Sequence, residues 1–166
     1  MAIVSPSRAP SGSLCRAAAD AAELEAHFAV RRAIFVEAQA LFSGDDRDDW
    51  DAVPETVHAV GVVDGAVAGA VRLYPLGDGL WKGDRLAVLP EARTHHLGAA
   101  LVRFAVATAG ARGGQVMVAQ IQLPNVRFFE HLGWRPDGPA GEYHGVMHQP
   151  MAIPLRPRDP RPRPGR

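Results

Sequence analysis

Residues 81–110, WKGDRLAVLPEARTHHLGAALVRFAVATAG, constrain the fold of this chain more than any other segment. They start with the pattern of a buried strand, turn at Pro90, continue as a polar loop that closes on Gly98, and finish as an amphipathic helix. The free backbone N–H groups of a loop that opens into a helix form a natural phosphate site. The segment therefore predicts an α/β fold that binds a phosphorylated cofactor.

A helix and a hairpin are predicted upstream of this segment. After a short first strand, Asp20 is a suitable N-cap for a helix that continues to about residue 39. Two β-rich runs, 56–63 and 66–73, flank the dipeptide DG at 64–65, which favours a two-residue hairpin turn.

The downstream half predicts a parallel strand pair. Strand 115–122 follows a helix, and a crossover of this kind places it parallel to strand 80–88. A short helix and two strands complete the pattern, at 125–132, 134–136 and 143–153. This order of elements predicts a single mixed α/β domain over residues 13–155.

The composition is that of one globular domain. The chain has 166 residues, of which 47% are hydrophobic and 22% charged, enough for a real core. No apolar run approaches the ~20 residues that span a bilayer, and residues 1–12 lack the apolar stretch of a signal peptide. Cys15 is the only cysteine and fits a small hydrophobic strand residue. We therefore expect a cytoplasmic protein without a membrane segment, and a disordered N-terminus at 1–12.

The C-terminal residues 156–166 are rich in arginine and proline. They contain five of the 18 basic residues and one of the 18 acidic residues, so the rest of the chain carries a net charge of −4. A basic, proline-rich segment is most simply a disordered tail. Because the body is acidic, we expect no nucleic-acid partner.

Two motifs resemble the GCN5-related N-acetyltransferases (GNAT family). They are RLAVLPEARTHHLGAALV and NVRFFEHLGW, which stand at the family's spacing and in its order of elements. The family signature is a strand ending in a Val-x-Pro turn, a loop on the acyl-CoA pyrophosphate, and a later helix that begins with Asn. The resemblance implies a mostly antiparallel sheet with one splayed parallel strand pair, flanked by helices. It also implies direct transfer of acetyl from acetyl-CoA to the amine of a small molecule, without a metal, and a possible homodimer.

The same resemblance implies which residues hold the cofactor. The loop and the start of its helix would donate N–H groups to the pyrophosphate, and a bulged strand would pair with pantetheine. A backbone N–H near the end of that strand would polarise the thioester carbonyl. The implied cofactor contacts are Leu86, Ala87, Val88, Arg93, Thr94, His95, His96, Leu97, Gly98, Ala99, Asn125 and Phe128.

Two residues depart from the family pattern. His96 stands where the loop normally has glycine, so it must adopt an ordinary φ or a strained one. Phe129 stands where the family often has the tyrosine that protonates the departing thiolate. Phenylalanine cannot donate a proton, so that role is vacant or filled elsewhere.

The catalytic candidates lie outside the cofactor motifs. Glu37, His144 and His148 are candidate general bases, because acyl transfer to an amine needs a neutral nucleophile. The two histidines are four residues apart on one predicted strand, which puts them on the same face. Tyr143 is a candidate acid in place of the missing tyrosine.

The acidic run GDDRDDWD at 44–51 has two interpretations. It is most simply a solvated loop, or it flanks the acceptor pocket and attracts a cationic amine. Arg31, on the preceding helix, is expected at the surface or in a salt bridge.

The wider segment 30–51 also resembles acyl-homoserine-lactone synthases, which suggests a longer acyl donor. A noncatalytic acyl-CoA-binding module is a further alternative.

Overall fold

The computed structural model of this protein describes residues 12–155. The predicted disordered ends lie outside this range except for Gly12. The strands are β1 (Ser13–Ala17), β2 (Val57–Val63), β3 (Ala66–Gly77), β4 (Leu80–Val88), β5 (Val116–Gln122), β6 (Arg135–Pro136), β7 (Gly141–Tyr143) and β8 (Val146–Pro154). The α-helices are α1 (Ala21–Arg31), α2 (Leu97–Ala111) and α3 (Val126–His131). Over the described range, no helix is both long enough and apolar enough to cross a membrane.

One sheet contains all eight of these strands. Its order is β1-β2-β3-β4-β5-β8-β6, with β7 paired to β8. Only β4 and β5 are parallel among these pairs; the other neighbours are antiparallel. The predicted mixed α/β fold, with a mostly antiparallel sheet and one parallel pair, is confirmed.

Tight turns with left-handed residues join the hairpins. Asp64 and Gly65 have φ values of 49° and 83°, as the predicted hairpin requires. A second such turn, His144 and Gly145 with φ values of 49° and 76°, interrupts the predicted strand 143–153. The prediction that His144 lies on one strand with His148 is therefore wrong, because His144 lies in the turn between β7 and β8.

The first helix changes its geometry halfway. Asp20 caps α1 by accepting a hydrogen bond from the backbone N–H of Glu23 at 2.8 Å. Residues Arg32–Ala38 continue as a π-helix, which widens the turn and ends at Gln39. The predicted helix is present, but the sequence pattern did not indicate its π-helical half.

The core has two layers, one on each face of the sheet. Helix α2 packs so closely on one face that a Cβ at Gly61 would lie 2.7 Å from Leu97, and a Cβ at Gly69 2.8 Å from Leu101. On the other face, α1 and the π-helix place their apolar residues against the middle of β3 and β4. We call these the α2 face and the α1 face.

The parallel strand pair separates soon after it begins. Pairing between β4 and β5 runs from Leu80 opposite Val116 to Lys82 opposite Val118 and stops there. A bulge follows on β4, since its register with β3 shifts and Arg85 adopts a left-handed φ of 54°. The strands diverge beyond this point, which opens a gap in the sheet.

Candidate active site

A cleft of about 140 Å³ lies in this gap between β4 and β5. Its walls differ in character. The apolar wall, on the α2 face, includes Val102, Ala105, Met117, Ile121, Phe129 and Trp134. The polar wall includes Gln39, Lys82, Asp84, Gln120, Gln122 and His148, with the apolar side chains of Phe35, Leu41 and Phe42 beside them. A cleft with one apolar and one polar wall suits a ligand that carries a reactive polar group on an apolar arm.

The N-terminus of α2 lies at the wide end of the gap. Gly98 in its first turn is close to both predicted neighbours, since a Cβ there would lie 3.7 Å from the Phe128 ring and 3.9 Å from Val88. The N–H groups of the first helical turn have no partner within the helix and carry positive potential. Three segments predicted to hold the cofactor therefore meet at a helix N-terminus.

The loop before α2 is more ordered than predicted. Residues Pro90–His95 form a 3-10 helix, and His96 follows with φ 54° and ψ 26°. His96 thus adopts the left-handed conformation that glycine adopts without strain, and a histidine does so at a conformational cost.

The end of β4 offers a free backbone edge. Ala87 and Val88 pair with β3 on one side, opposite Ala70 and Gly69. On the other side, pairing with β5 has already stopped at Lys82. The edge of residues 86–88 that faces the gap is therefore open to an added strand-like ligand.

His148 is the candidate base that the structure places in the cleft. It is 4% exposed and pairs in register with Gln122 on β5. Its Nδ1 lies 2.7 Å from the backbone oxygen of Val146. Because a carbonyl only accepts hydrogen bonds, this contact takes the proton of Nδ1, and Nε2 is the ring nitrogen that it leaves free.

The other three catalytic candidates occupy different positions. Tyr143 lines the cleft, with its ring centroid 5.3 Å from that of His148. His144 is exposed in the hairpin turn and packs against Phe42, with ring centroids 4.5 Å apart. Glu37 is exposed, lies 4.0 Å from Arg32, and does not line the cleft.

Phe129 and Trp134 close the apolar wall. Phe129 is 6% exposed and packs edge-to-face on Trp134, with ring centroids 5.5 Å apart. The indole N–H of Trp134 is the one buried side-chain polar atom of residues 12–155 without a hydrogen-bond partner. Asn125 also lines the cleft, close to this wall.

The acidic run is divided: Asp46 and Asp51 are buried or half-buried in ion pairs, whereas Asp45, Asp48 and Asp49 are exposed. Asp46 is 2% exposed, and its carboxylate lies 2.7 Å from Nε of Arg31, which is fully buried. Asp51 lies 2.7 Å from Nη1 of the same arginine. Although burial acts against it, hydrogen bonds from His58 and Arg31 hold the pKa of Asp51 well below its usual range. The interpretation as a solvated loop is therefore wrong for these two carboxylates, and their charges are already paired with Arg31.

Two further arginines complete this buried network on the α1 face. Arg72 of β3 donates to Asp84 through Nε and Nη2, each at 2.7 Å, and to Asp48 through Nη1 at 2.6 Å. Arg85 donates to the backbone oxygen of Asp46 at 3.1 Å. Since Arg85 is the left-handed residue of the bulge, the network anchors the point at which β4 turns away from β5.

Sequence reasoning missed Arg72 and Arg85 as partners of the acidic run. Arg72 interrupts an otherwise apolar strand, AVAGAVRLY, and a charge on such a strand needs a buried partner. The carboxylate-rich segment at 44–51 was a signal for where those partners could be found. The sequence alone could not reveal the pairing, because the paired residues are more than 20 positions apart in the chain.

The comparisons with known proteins agree with this geometry. The model of the acetyltransferase (GNAT) family matches residues 23–134. A Lactobacillus plantarum protein named as an N-acetyltransferase is 25% identical, with a TM-score of 0.77 over 87% of this chain and 99% of that one.

Two further solved structures share the fold. The acyl-homoserine lactone synthase BjaI, solved with isopentyl-CoA, is 20% identical, with a TM-score of 0.71 over 87% of this chain and 84% of that one. An aminoglycoside 6'-N-acetyltransferase, solved with coenzyme A, is 15% identical, with a TM-score of 0.70 over 89% of this chain and 99% of that one. With the family model matching most of the chain and the splayed strand pair in place, this protein belongs to the GNAT family of acetyltransferases.

Proposed function

We propose that this protein transfers an acetyl group from acetyl-CoA directly to the amine of a small molecule. One observation carries the proposal: β4 and β5 separate beyond Lys82 and Val118, beside the N-terminus of α2. The gap leaves a strand edge for an extended arm and places helix N–H groups at its wide end. We also expect the enzyme to work in the cytoplasm, as a homodimer.

The cofactor would lie along the wide half of the gap. The pyrophosphate would accept hydrogen bonds from the backbone of residues 93–99, with Arg93 adding charge. Pantetheine would pair with the open edge of residues 86–88, and Asn125 and Phe128 would line its other side. The aminoglycoside acetyltransferase of the same fold was solved with coenzyme A, which supports a CoA thioester as donor.

His148 and Tyr143 would carry the proton transfers. The neutral amine attacks the thioester carbonyl, a C–N bond forms, and the C–S bond breaks. His148 takes the amine proton on Nε2, the acceptor that its hydrogen bond to Val146 leaves free. The CoA thiolate leaves and takes a proton, for which Tyr143 is the donor in the cleft. Glu37 and His144 receive no role, since neither lines the cleft.

The test is CoA release from acetyl-CoA with a panel of amines. His148→Gln is expected to lower kcat about 100-fold or more, the usual contribution of a general base, with little change in acetyl-CoA affinity. His144→Gln is the matched control and is expected to keep the wild-type kcat. Tight CoA binding without turnover of any amine would instead support the noncatalytic module.

A longer acyl donor is the second candidate, and the apolar wall favours it. Ala105 and Met117 line the cleft on the side away from the polar wall, so a chain of several carbons would be shielded from water there. The likeness to a synthase solved with isopentyl-CoA supports the same idea.

Donor affinity separates the two candidates. If the wall takes the chain, affinity is expected to rise about 4-fold for each added methylene, which corresponds to ~0.8 kcal/mol. Ala105→Leu would then remove the gain. Equal affinities for acetyl-, butanoyl- and hexanoyl-CoA would leave acetyl as the donor.

A further inference from the structure

Lys82 is the only lysine in this chain, which otherwise uses arginine for its basic side chains. It is half-buried and lines the cleft. Its register opposite Tyr74 of β3 puts it on the α1 face, at the last residue before β4 and β5 separate. Within residues 12–155 it takes part in no salt bridge.

The other charged residues of the cleft are already paired. Asp84 accepts two hydrogen bonds from Arg72 and one from Tyr74. Arg85 is bound to Asp46 and Asp48. Because Asp84 and Arg85 are paired in this way, Lys82 carries the one charge of the polar wall that has no charged partner in the described part of the chain.

This charge is too far from the cofactor's phosphates to serve them. Lys82 and Val88 are six residues apart on β4, about 20 Å along a strand, and the phosphate-binding turn follows Val88. The pantetheine arm, which would fill the intervening stretch, is uncharged. The positive charge is therefore available to the other substrate.

We infer that the acceptor is an amine that also carries a carboxylate, and that Lys82 binds the carboxylate. This inference rests on the proposed acyl transfer. Gln120 lines the same wall and can donate a second hydrogen bond from its side-chain amide. One lysine with an amide neighbour matches a singly charged carboxylate better than a phosphate, which usually takes several donors.

The positions of Lys82 and His148 agree with such an acceptor. Lys82 is in register with Val118 on β5, and His148 with Gln122 four residues further along. This separation is about 13 Å along the strands, and because β5 lies between β4 and β8, His148 is also about 10 Å to the side of Lys82. The two long side chains converge on the space between them, where an amino acid would have its carboxylate toward Lys82 and its amine toward His148. The positive charge of Lys82 also lowers the pKa of the bound amine, which favours the neutral nucleophile.

The test compares each α-amino acid with the amine formed by its decarboxylation, for example phenylalanine with phenethylamine. Both are assayed by CoA release from acetyl-CoA. The wild type is expected to favour the amino acid at least 10-fold in kcat/KM, the usual scale of a hydrogen bond to a charged group. In Lys82→Met this ratio is expected to fall toward one, through a higher KM for the amino acid. Lys82→Arg is expected to keep most of the preference.

Arg32→Met is the matched control. It removes an exposed cation outside the cleft and is expected to leave the ratio unchanged. A wild-type enzyme that uses both members of each pair equally would overturn the inference and leave the acyltransferase intact. So would a Lys82→Met variant that loses kcat equally for both members, which would place Lys82 at the thioester instead. No turnover of either member of any pair, together with none of the amine panel, would overturn the proposed function, and this inference with it.

Discussion

His27 makes the stability of this protein sensitive to mild acid. The ring is fully buried, with Nδ1 2.9 Å from the backbone oxygen of Ala59 and Nε2 3.3 Å from Nη1 of Arg31. The carbonyl requires a proton on Nδ1, and the guanidinium requires a lone pair on Nε2. Burial above all, together with the charge of Arg31, lowers the pKa of His27 from 6.5 to about 3. The folded protein therefore keeps this ring neutral.

The cost of acidification follows from that pKa. Between pH 6.5 and about pH 3, the unfolded chain binds a proton at His27 that the folded protein does not bind. Stability therefore rises with pH across this window; His27's contribution is complete above pH 6.5 and is lost as the pH falls. At about pH 5 the free energy of unfolding is expected to be ~2 kcal/mol lower than at neutral pH, at ~1.4 kcal/mol for each pH unit.

Urea unfolding of the wild type and His27→Gln at about pH 7.5 and about pH 5 measures this effect. Glutamine keeps an amide that can donate to Ala59 but does not titrate. The variant is expected to start less stable and to lose ~2 kcal/mol less on acidification than the wild type. His131→Gln, at an exposed position on α3, is the control and should behave as wild type. An equal loss in wild type and His27→Gln would refute the reasoning.

Two further outcomes are expected. His96→Gly relieves a left-handed φ of 54° and is expected to stabilise the protein by ~1 kcal/mol, whereas His96→Ala keeps the strain and should give no gain. Thermal unfolding distinguishes them as a rise of roughly 2–4 °C in Tm for glycine only, and equal Tm values for the two variants would contradict the strain argument. Arg72→Met leaves Asp48 and Asp84 without their main partner and is expected to cost ~3–5 kcal/mol of unfolding free energy. Arg103→Met, at an exposed position, is the control. A similarly small loss of unfolding free energy in both variants would show that the buried network contributes little.

Local patterns were sufficient to predict most of the fold. The turn at 64–65, the cap at Asp20 and the helical stripe after Gly98 each depend on neighbouring residues, and each appears in the structure. The π-helix at Arg32–Ala38 has no comparable local signal, since such helices are rare and no residue pattern in this segment marks one. The turn at His144 did have a signal, since the glycine that follows it permits the positive φ of a tight hairpin.

The cofactor side of the cleft could be predicted from the sequence, whereas the polar wall could not. The segments predicted to hold the cofactor are contiguous motifs, and Val88, Gly98 and Phe128 do meet in space. The polar wall is assembled from the end of the π-helix and from three strands, so no spacing in the sequence reveals it. Lys82 and His148 line the same cleft because β5 pairs with β4 on one side and with β8 on the other.

The charge network and the cleft depend on each other. A bulge residue with positive φ is unfavourable for arginine, so Arg85 needs compensating contacts to remain there. It receives them from the carboxylates and backbone of residues 46–48, which Arg31 and Arg72 hold in turn. The acidic run therefore shapes the cleft indirectly, through its contacts with Arg85 at the bulge where β4 leaves β5. Because Asp84 is paired with Arg72 in the same network, Lys82 has no salt-bridge partner within residues 12–155, and we expect its charge to favour an acceptor with a negative group.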